Sequence, residues 1–200
     1  MRFPARTEGE DDRSSSYFPG WRRHPRAVEF IGSGTAMMTT SQSERDPTDL
    51  PRKVTFVCSS GGHMLVLQRL RPWWEARECL WVTFRKTDTE SLLRDERAIW
   101  AFHPTQRNIP NALRNLRLAW KVLRRERPDV VVSSGAGVAF PFFLVAKALR
   151  IRTVFVEVYD RIDRPSLTGR LCYPISDLFV LQVDEQLRAY PRGRVIGALV

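Results

Sequence analysis

Short runs of β-branched and aromatic residues recur from Lys53 onward: KVTFVC (53–58), CLWVTF (79–84), AIWAF (98–102), DVVVSS (129–134), TVFVEV (153–158), DLFVLQ (177–182) and RVIG (194–197). Between them lie segments with apolar residues at helical spacing, such as MLVLQRLRPWWE (64–75) and NALRNLRLAWKVLRRER (111–127), the latter stopping before Pro128. Several of the runs are apolar throughout rather than alternating, the pattern of strands covered on both faces. Strands of that kind, separated by helices, predict an α/β fold: a doubly wound, Rossmann-like parallel sheet of about 150 residues over 53–200. In such sheets ligands bind beyond the carboxyl ends of the strands, so the strand-to-helix turns are where chemistry is expected.

Residues 1–52 lack this pattern. EGEDDRSSS and TTSQSERDPTD read as a disordered polar tail, with Met37 or Met38 as an alternative start. Charge separates the two parts. The chain carries a net +10, yet residues 1–50 hold 7 Lys+Arg against 8 Asp+Glu, which leaves +11 on the remainder. A basic domain attracts phosphate, whether in nucleic acid, an anionic bilayer or a phosphorylated substrate. Cys58, Cys79 and Cys172 are widely spaced with no C-x-x-C. Neither a metal site nor a disulfide framework is expected, and a reduced compartment fits. No apolar stretch reaches the roughly 20 residues of a spanning helix, and the longest, Gly137 to Leu149, is interrupted by Lys147. With no apolar signal region at the N-terminus, secretion is not expected.

Three turns carry unusual residues. Ser59-Ser60-Gly61-Gly62-His63 follows the first strand, and its glycines permit close backbone approach at the start of a helix. The spacing is neither G-x-G-x-x-G nor a P-loop, and a tight βα turn needing glycine explains it equally well. His63 adds an imidazole that could serve as a general base, orient a phosphate, or simply pack. Ser133-Ser134-Gly135-Ala136-Gly137 repeats the arrangement after the DVVVSS strand. Two such turns in one parallel sheet put two small-residue helix starts on one edge, a coincidence that favours a site. The third stretch, VEVYDRIDRPSLTGR, sets Glu157, Asp160 and Asp163 among Arg161, Arg164 and Arg170. Its arginines suit phosphate oxygens and its carboxylates suit a sugar hydroxyl or His63; a solvated charged loop is the plain alternative.

On the long helix, Leu113, Leu116, Trp120 and Leu123 fall within about 80° and read as core. Arg114, Arg117, Lys121, Arg124 and Arg125 fall within about 100° on the neighbouring side, with Glu126 the acid within the helix. A basic amphipathic helix of this kind suits an anionic membrane surface, with Trp73, Trp74 and Pro141-Phe142-Phe143 as candidate interfacial anchors.

VCSSGGH, WVTFRKTDTESLL, HPTQRNIPNALRNLRLAWKVLRRERPDVVVSSGAGVAFPFF and VFVEVYDRIDRPSLTGRLCYPISDLFVLQ, taken together, resemble the PssD-type subunit of bacterial polysaccharide glycosyltransferases. That family is similar to the membrane-anchoring subunit of the eukaryotic enzyme that adds the second N-acetylglucosamine to dolichol-linked chitobiose. More distantly it resembles the N-terminal half of MurG. The resemblance covers 53–200 and implies the acceptor-side half of a GT-B glycosyltransferase divided between two polypeptides. It implies binding of a polyprenyl-pyrophosphate-linked acceptor, an anionic membrane surface, and a PssE-type partner subunit that holds the UDP-sugar. No cofactor or metal is implied in this chain. By this resemblance Ser59, Ser60, Gly61, Gly62, Ser134, Gly135, Ala136 and Gly137 border the acceptor pyrophosphate, and His63 is the candidate base. Glu157, Asp160 and Arg161 fall in the matching cleft loop, and Arg164 beside them is a further candidate phosphate ligand. Where the eukaryotic subunit has an N-terminal membrane helix this chain has a polar tail, which favours a peripheral protein on the cytoplasmic face of a bacterial plasma membrane.

Three other functions compete. A non-catalytic membrane adaptor would leave His63 structural. A self-sufficient nucleotide-sugar epimerase needs a second nucleotide-binding domain that this length does not supply. A nucleic-acid binder explains the charge but not the paired glycine turns, so no nucleic-acid partner is expected.

Overall fold

The computed structural model describes residues 50–162 and 164–199. Most of the expected polar tail, both candidate start methionines and Asp163 lie outside the described residues. Seven strands form one sheet: β1 (Lys53–Val57), β2 (Glu78–Thr83), β3 (Ala98–Trp100), β4 (Val130–Ser133), β5 (Arg152–Val156), β6 (Leu178–Leu181) and β7 (Arg194–Val195). Their order is β3-β2-β1-β4-β5-β6-β7, and every pairing is parallel. The helices are α1 (Gly62–Arg69), α2 (Arg71–Trp74), α3 (Thr87–Leu92), α4 (Ile109–Glu126), α5 (Ala139–Ala148) and α6 (Leu167–Cys172), with 3-10 turns at Tyr173–Ile175 and Asp184–Arg188. Every strand expected from the sequence is present, and the sheet is doubly wound.

Alternation along the strands sends side chains into two cores. Val54 and Phe56 of β1, Trp81 of β2, and Val132 of β4 pack with Met64, Leu67, Trp73 and Trp74 on one face. Val57, Val82, Val131, Phe155 and Leu181 pack with Ala119, Leu123, Phe142 and Phe143 on the other. Fully burying a side chain of that size contributes about 1.5–3 kcal/mol. Trp73 and Trp74 are therefore core residues, 1% and 3% exposed. Phe56 stacks on Trp81 at 4.3 Å between ring centroids, and Trp74 meets Trp81 edge-on at 5.4 Å. Phe142 and Phe143 are wholly buried as well. None of these four residues reaches a membrane: α2 is pressed against the sheet, and α5 buries Phe142 and Phe143 while turning Leu144 and Lys147 outward.

Helix α4 departs from expectation in its orientation. Asn108 caps it, its side chain accepting the Asn111 N–H at 2.9 Å, and Pro110 suits the first turn. It ends at Arg127 in the left-handed conformation, just before Pro128. Its buried face, however, is Asn111, Asn115, Ala119, Val122 and Leu123. The buried asparagines are paired: Asn115 exchanges hydrogen bonds of 2.9 Å with both the N–H and the C=O of Phe102, and Asn111 Nδ2 donates to the Pro104 carbonyl at 2.9 Å. Of the expected core stripe only Leu123 is fully buried; Leu113 is 61% exposed, Trp120 45%, and Leu116 half-buried. The reason is close packing. Small residues let α4 approach the sheet and α5, while asparagine staples hold the Phe102–Pro104 loop, so the bulky stripe is turned outward.

Candidate functional site at the switch between β1 and β4

Strands β1 and β4 are hydrogen-bonded neighbours, with Val57 opposite Ser133. From this pair the chain order runs outward in opposite directions, toward β3 on one side and β7 on the other. A reversal of that kind opens a crevice at the carboxyl edge of the sheet. Both glycine turns leave their strands there, so SSGGH and SSGAG lie side by side.

Ser134 and His63 lock the two turns together. The Ser134 hydroxyl donates to the His63 carbonyl at 2.7 Å, and His63 Nδ1 lies 2.8 Å from the Ser134 carbonyl. A carbonyl only accepts, so Nδ1 carries the ring proton and Nε2 is left with a lone pair. Burial lowers the His63 pKa below its ordinary 6.5, opposed by the Ser134 carbonyl and by the charge of Asp160, while Arg161 pushes the same way as burial. The imidazole is thus neutral near pH 7, with a defined tautomer and one basic nitrogen. That is the state a general base requires.

The surrounding backbone is unusual. Gly61 has φ +73°, Gly135 φ +121°, and Ala136 sits at φ +65°, a conformation that costs an alanine roughly 1–3 kcal/mol and that clusters at functional sites. Gly61 and Gly62 are exposed, Ser59, Ser60, Ala136 and Gly137 are half-buried, and Ser134 and Gly135 are buried. The Ser134 hydroxyl, engaged by His63, acts as scaffold. The Gly61 N–H donates to Asp88 Oδ2 at 3.0 Å. Asp88 comes from α3, whose first turn is anchored by the buried Thr89, its Oγ1 donating to the Phe84 carbonyl at 2.7 Å. Sequence reasoning did not single out Asp88, because α3 spans only six residues, too few for a helical period to show.

The loop after β5 brings Asp160 and Arg161 within electrostatic reach of His63. Both are exposed and pair only loosely with each other, at 3.9 Å. Arg164 is exposed on the same loop. Glu157 is elsewhere: its carboxylate is 1% exposed, beneath the loop rather than on it. Among the described residues, no three His, Cys, Asp or Glu side chains gather in a group able to hold a metal ion.

The family model described as oligosaccharide biosynthesis protein Alg14 like matches residues 85–199. The chain belongs to the Alg14-like family. The matched region of this Alg14-like chain takes in SSGAG, the loop from Glu157 to Arg164, and all of α4; the SSGGH turn precedes it. Among curated relatives, the UDP-N-acetylglucosamine transferase subunit ALG14 of Eremothecium gossypii is 35% identical over 104 residues, 46% of each chain. The Alg14-like chain thus spans about half the length of the curated relatives it matches. In fold it is similar to MurG of Acinetobacter baumannii, with TM-score 0.53 and 16% identity over 66% of this chain and 42% of that one. It is likewise similar to UDP-N-acetylglucosamine 2-epimerase of Rickettsia bellii, with TM-score 0.57 and 13% identity over 75% and 46%. The Alg14-like sheet therefore has the fold of one lobe of a GT-B enzyme.

Proposed function

We propose that the chain is the acceptor-binding subunit of a two-component, membrane-associated glycosyltransferase. It receives a polyprenyl-pyrophosphate-linked saccharide, while a PssE-type partner holds the UDP-sugar, for which the relatives' name gives UDP-N-acetylglucosamine as the first candidate. The observation that carries this reading is the coupling of the two glycine turns through His63 and Ser134, which leaves Nε2 free at the switch point.

The chemistry is inverting transfer. His63 Nε2 takes the proton of the acceptor's sugar hydroxyl as its oxygen bonds to the anomeric carbon of the donor. The bond from that carbon to the donor's phosphate oxygen breaks, and UDP leaves with the electron pair. Arg161 and Arg164 offer the acceptor pyrophosphate charge-assisted hydrogen bonds. The amides of the glycine turns add uncharged donors.

Helix α4 supplies the membrane contact. Ile109, Leu113 and Trp120 are 73%, 61% and 45% exposed on one stripe, beside the exposed Arg114, Arg117, Lys121, Arg124 and Arg125. Apolar residues enter the headgroup region, and each adjoining cation adds about 1 kcal/mol against an anionic surface. Since α4 begins beside the Phe102–Pro104 loop at the ligand edge, a docked helix holds the crevice at the bilayer, where a lipid-linked acceptor is found. No helix among the described residues is long and apolar enough to cross a membrane. The attachment proposed here is peripheral, through α4, at the cytoplasmic face.

A second reading, an adaptor that only positions its partner, draws on Asp88, which already occupies the Gly61 N–H. Reconstituting the chain with its partner, lipid acceptor and UDP-sugar separates the two. Transfer by the pair, little or none by this chain alone, and loss of turnover in His63→Ala support the proposal. Unchanged turnover in His63→Ala reduces the chain to an adaptor, and full transfer without a partner overturns the division of labour.

A further inference from the structure

Glu157 directly follows β5, and its carboxylate faces inward. Oε1 accepts the Val158 N–H at 3.1 Å, and Oε2 accepts the hydroxyl of Tyr190, itself 1% exposed, at 2.8 Å. Two buried glutamines hold the same stretch of backbone. Gln182 Nε2 donates to the Glu157 carbonyl and Gln186 Nε2 to the Val158 carbonyl, both at 2.9 Å. The glutamines are linked in turn, Gln186 Oε1 accepting the Gln182 N–H at 2.9 Å, and Gln182 Oε1 accepts the Leu199 N–H at 2.8 Å. Gly169 of α6 closes the cluster, because a β-carbon there would collide with Glu157 Oε2 and Tyr190 Oη.

A buried polar group left without a partner costs about 1–3 kcal/mol, so a network like this keeps one geometry as long as every member is engaged. What it keeps in place is the backbone of Glu157 and Val158. Asp160 and Arg161, whose charges act on His63, stand on the loop that these two residues root. The sequence placed Glu157 among candidate acceptor ligands, but its burial and its two hydrogen bonds assign it other work.

We infer that Glu157 is a positioning residue for the transfer step: with Tyr190, Gln182 and Gln186 it clamps the root of the Asp160–Arg161 loop to the sheet, on the same carboxyl edge at which His63 stands. This role rests on the function proposed above. It requires the shape and hydrogen bonding of residue 157 rather than its charge. In Glu157→Gln the amide oxygen can accept the Val158 N–H while the amide nitrogen donates to Tyr190 Oη.

The test uses the full chain in complex with its partner. Tryptic cleavage after Arg161 reports the looseness of the loop, and steady-state transfer reports function. Glu157→Ala and Tyr190→Phe should both be cleaved faster and show acceptor KM raised roughly 10- to 100-fold with donor KM unchanged, as expected when a group is slightly misplaced. Glu157→Gln should recover most of both losses. Glu157→Gln as impaired as Glu157→Ala would mean that the reaction needs the carboxylate itself, which overturns the inference. Faster cleavage with unaltered acceptor KM, or unaltered cleavage in a working pair, overturns it equally. A wild-type pair that forms no product sinks the transferase reading, and this role with it, while the cleavage rates still show whether the clamp exists.

Discussion

Gly135 lies so close to His63 that a β-carbon on it would stand 2.9 Å from His63 Cε1 and 3.3 Å from Nδ1. The ring cannot simply swing aside, because Nδ1 is engaged with the carbonyl of Ser134, the residue before this glycine. One contact therefore ties the conformation of the second glycine turn to the orientation of the histidine on the first.

Gly135→Ala tests that tie. The variant combines this clash with a φ of +121°, which alanine rarely adopts, so stability should fall by about 1–3 kcal/mol in a denaturant titration. Turnover by the reconstituted pair should fall further than the lost folded fraction accounts for, since the ring must move. A variant that is stable and fully active would show the contact to be loose.

His63→Ala should reduce turnover by about 10²- to 10⁴-fold, the usual contribution of a positioned base, with acceptor KM changed much less. In the wild-type pair the acid limb of the kcat/KM profile should lie below 6.5, because burial holds the imidazole neutral. Stability follows the same sign. The unfolded chain binds a proton below 6.5 that the folded chain takes up only at lower pH, so this contribution is complete above 6.5 and declines as pH falls below it. Melting temperature measured against pH should show that decline in the wild type and lose it in His63→Ala.

The outward stripe of α4 makes a paired prediction. Leu113→Ser and Trp120→Ser remove exposed apolar surface and should weaken binding to anionic liposomes while leaving stability within about 0.5 kcal/mol. Leu123→Ala, one turn on but wholly buried, should cost about 2–5 kcal/mol and leave the binding of the folded protein intact. Binding should also decline steeply with salt as the charges of Arg114, Arg117 and Lys121 are screened. Liposome sedimentation measures all of these.

The cysteines should be silent in the folded protein. Cys58, Cys79 and Cys172 are buried free thiols. Burial pushes Cys58 and Cys79 up to about 12 and raises Cys172 as well. Alkylation at pH 8 should label none of them until denaturant is added, since the thiolate is the reactive form. Rapid labelling of any one in the native state would show that its part of the core opens.

The strands and the class of fold were legible in the chain alone, because apolar β-branched runs broken by helical periods leave a doubly covered parallel sheet as the economical way to bury them. The glycine turns and His63 were visible too, since each stands where a strand must hand over to a helix. Short elements were not: α3 and α6 span six residues each, too few for a period to declare itself, and the break between α1 and α2 inside 64–75 left no mark in the spacing. Two further matters were decided by tertiary structure. Periodicity pointed the Leu113, Leu116, Trp120 and Leu123 stripe of α4 inward, whereas contact with α5 and the Phe102–Pro104 loop selected a face of small residues and asparagines roughly 100° away, exposing Leu113 and Trp120. Likewise Glu157 reads as one more acid in a charged loop until Tyr190, 33 positions later, is folded against it. Local pattern records what each segment must bury, whereas which groups meet depends on strand order and close packing between residues remote in the chain.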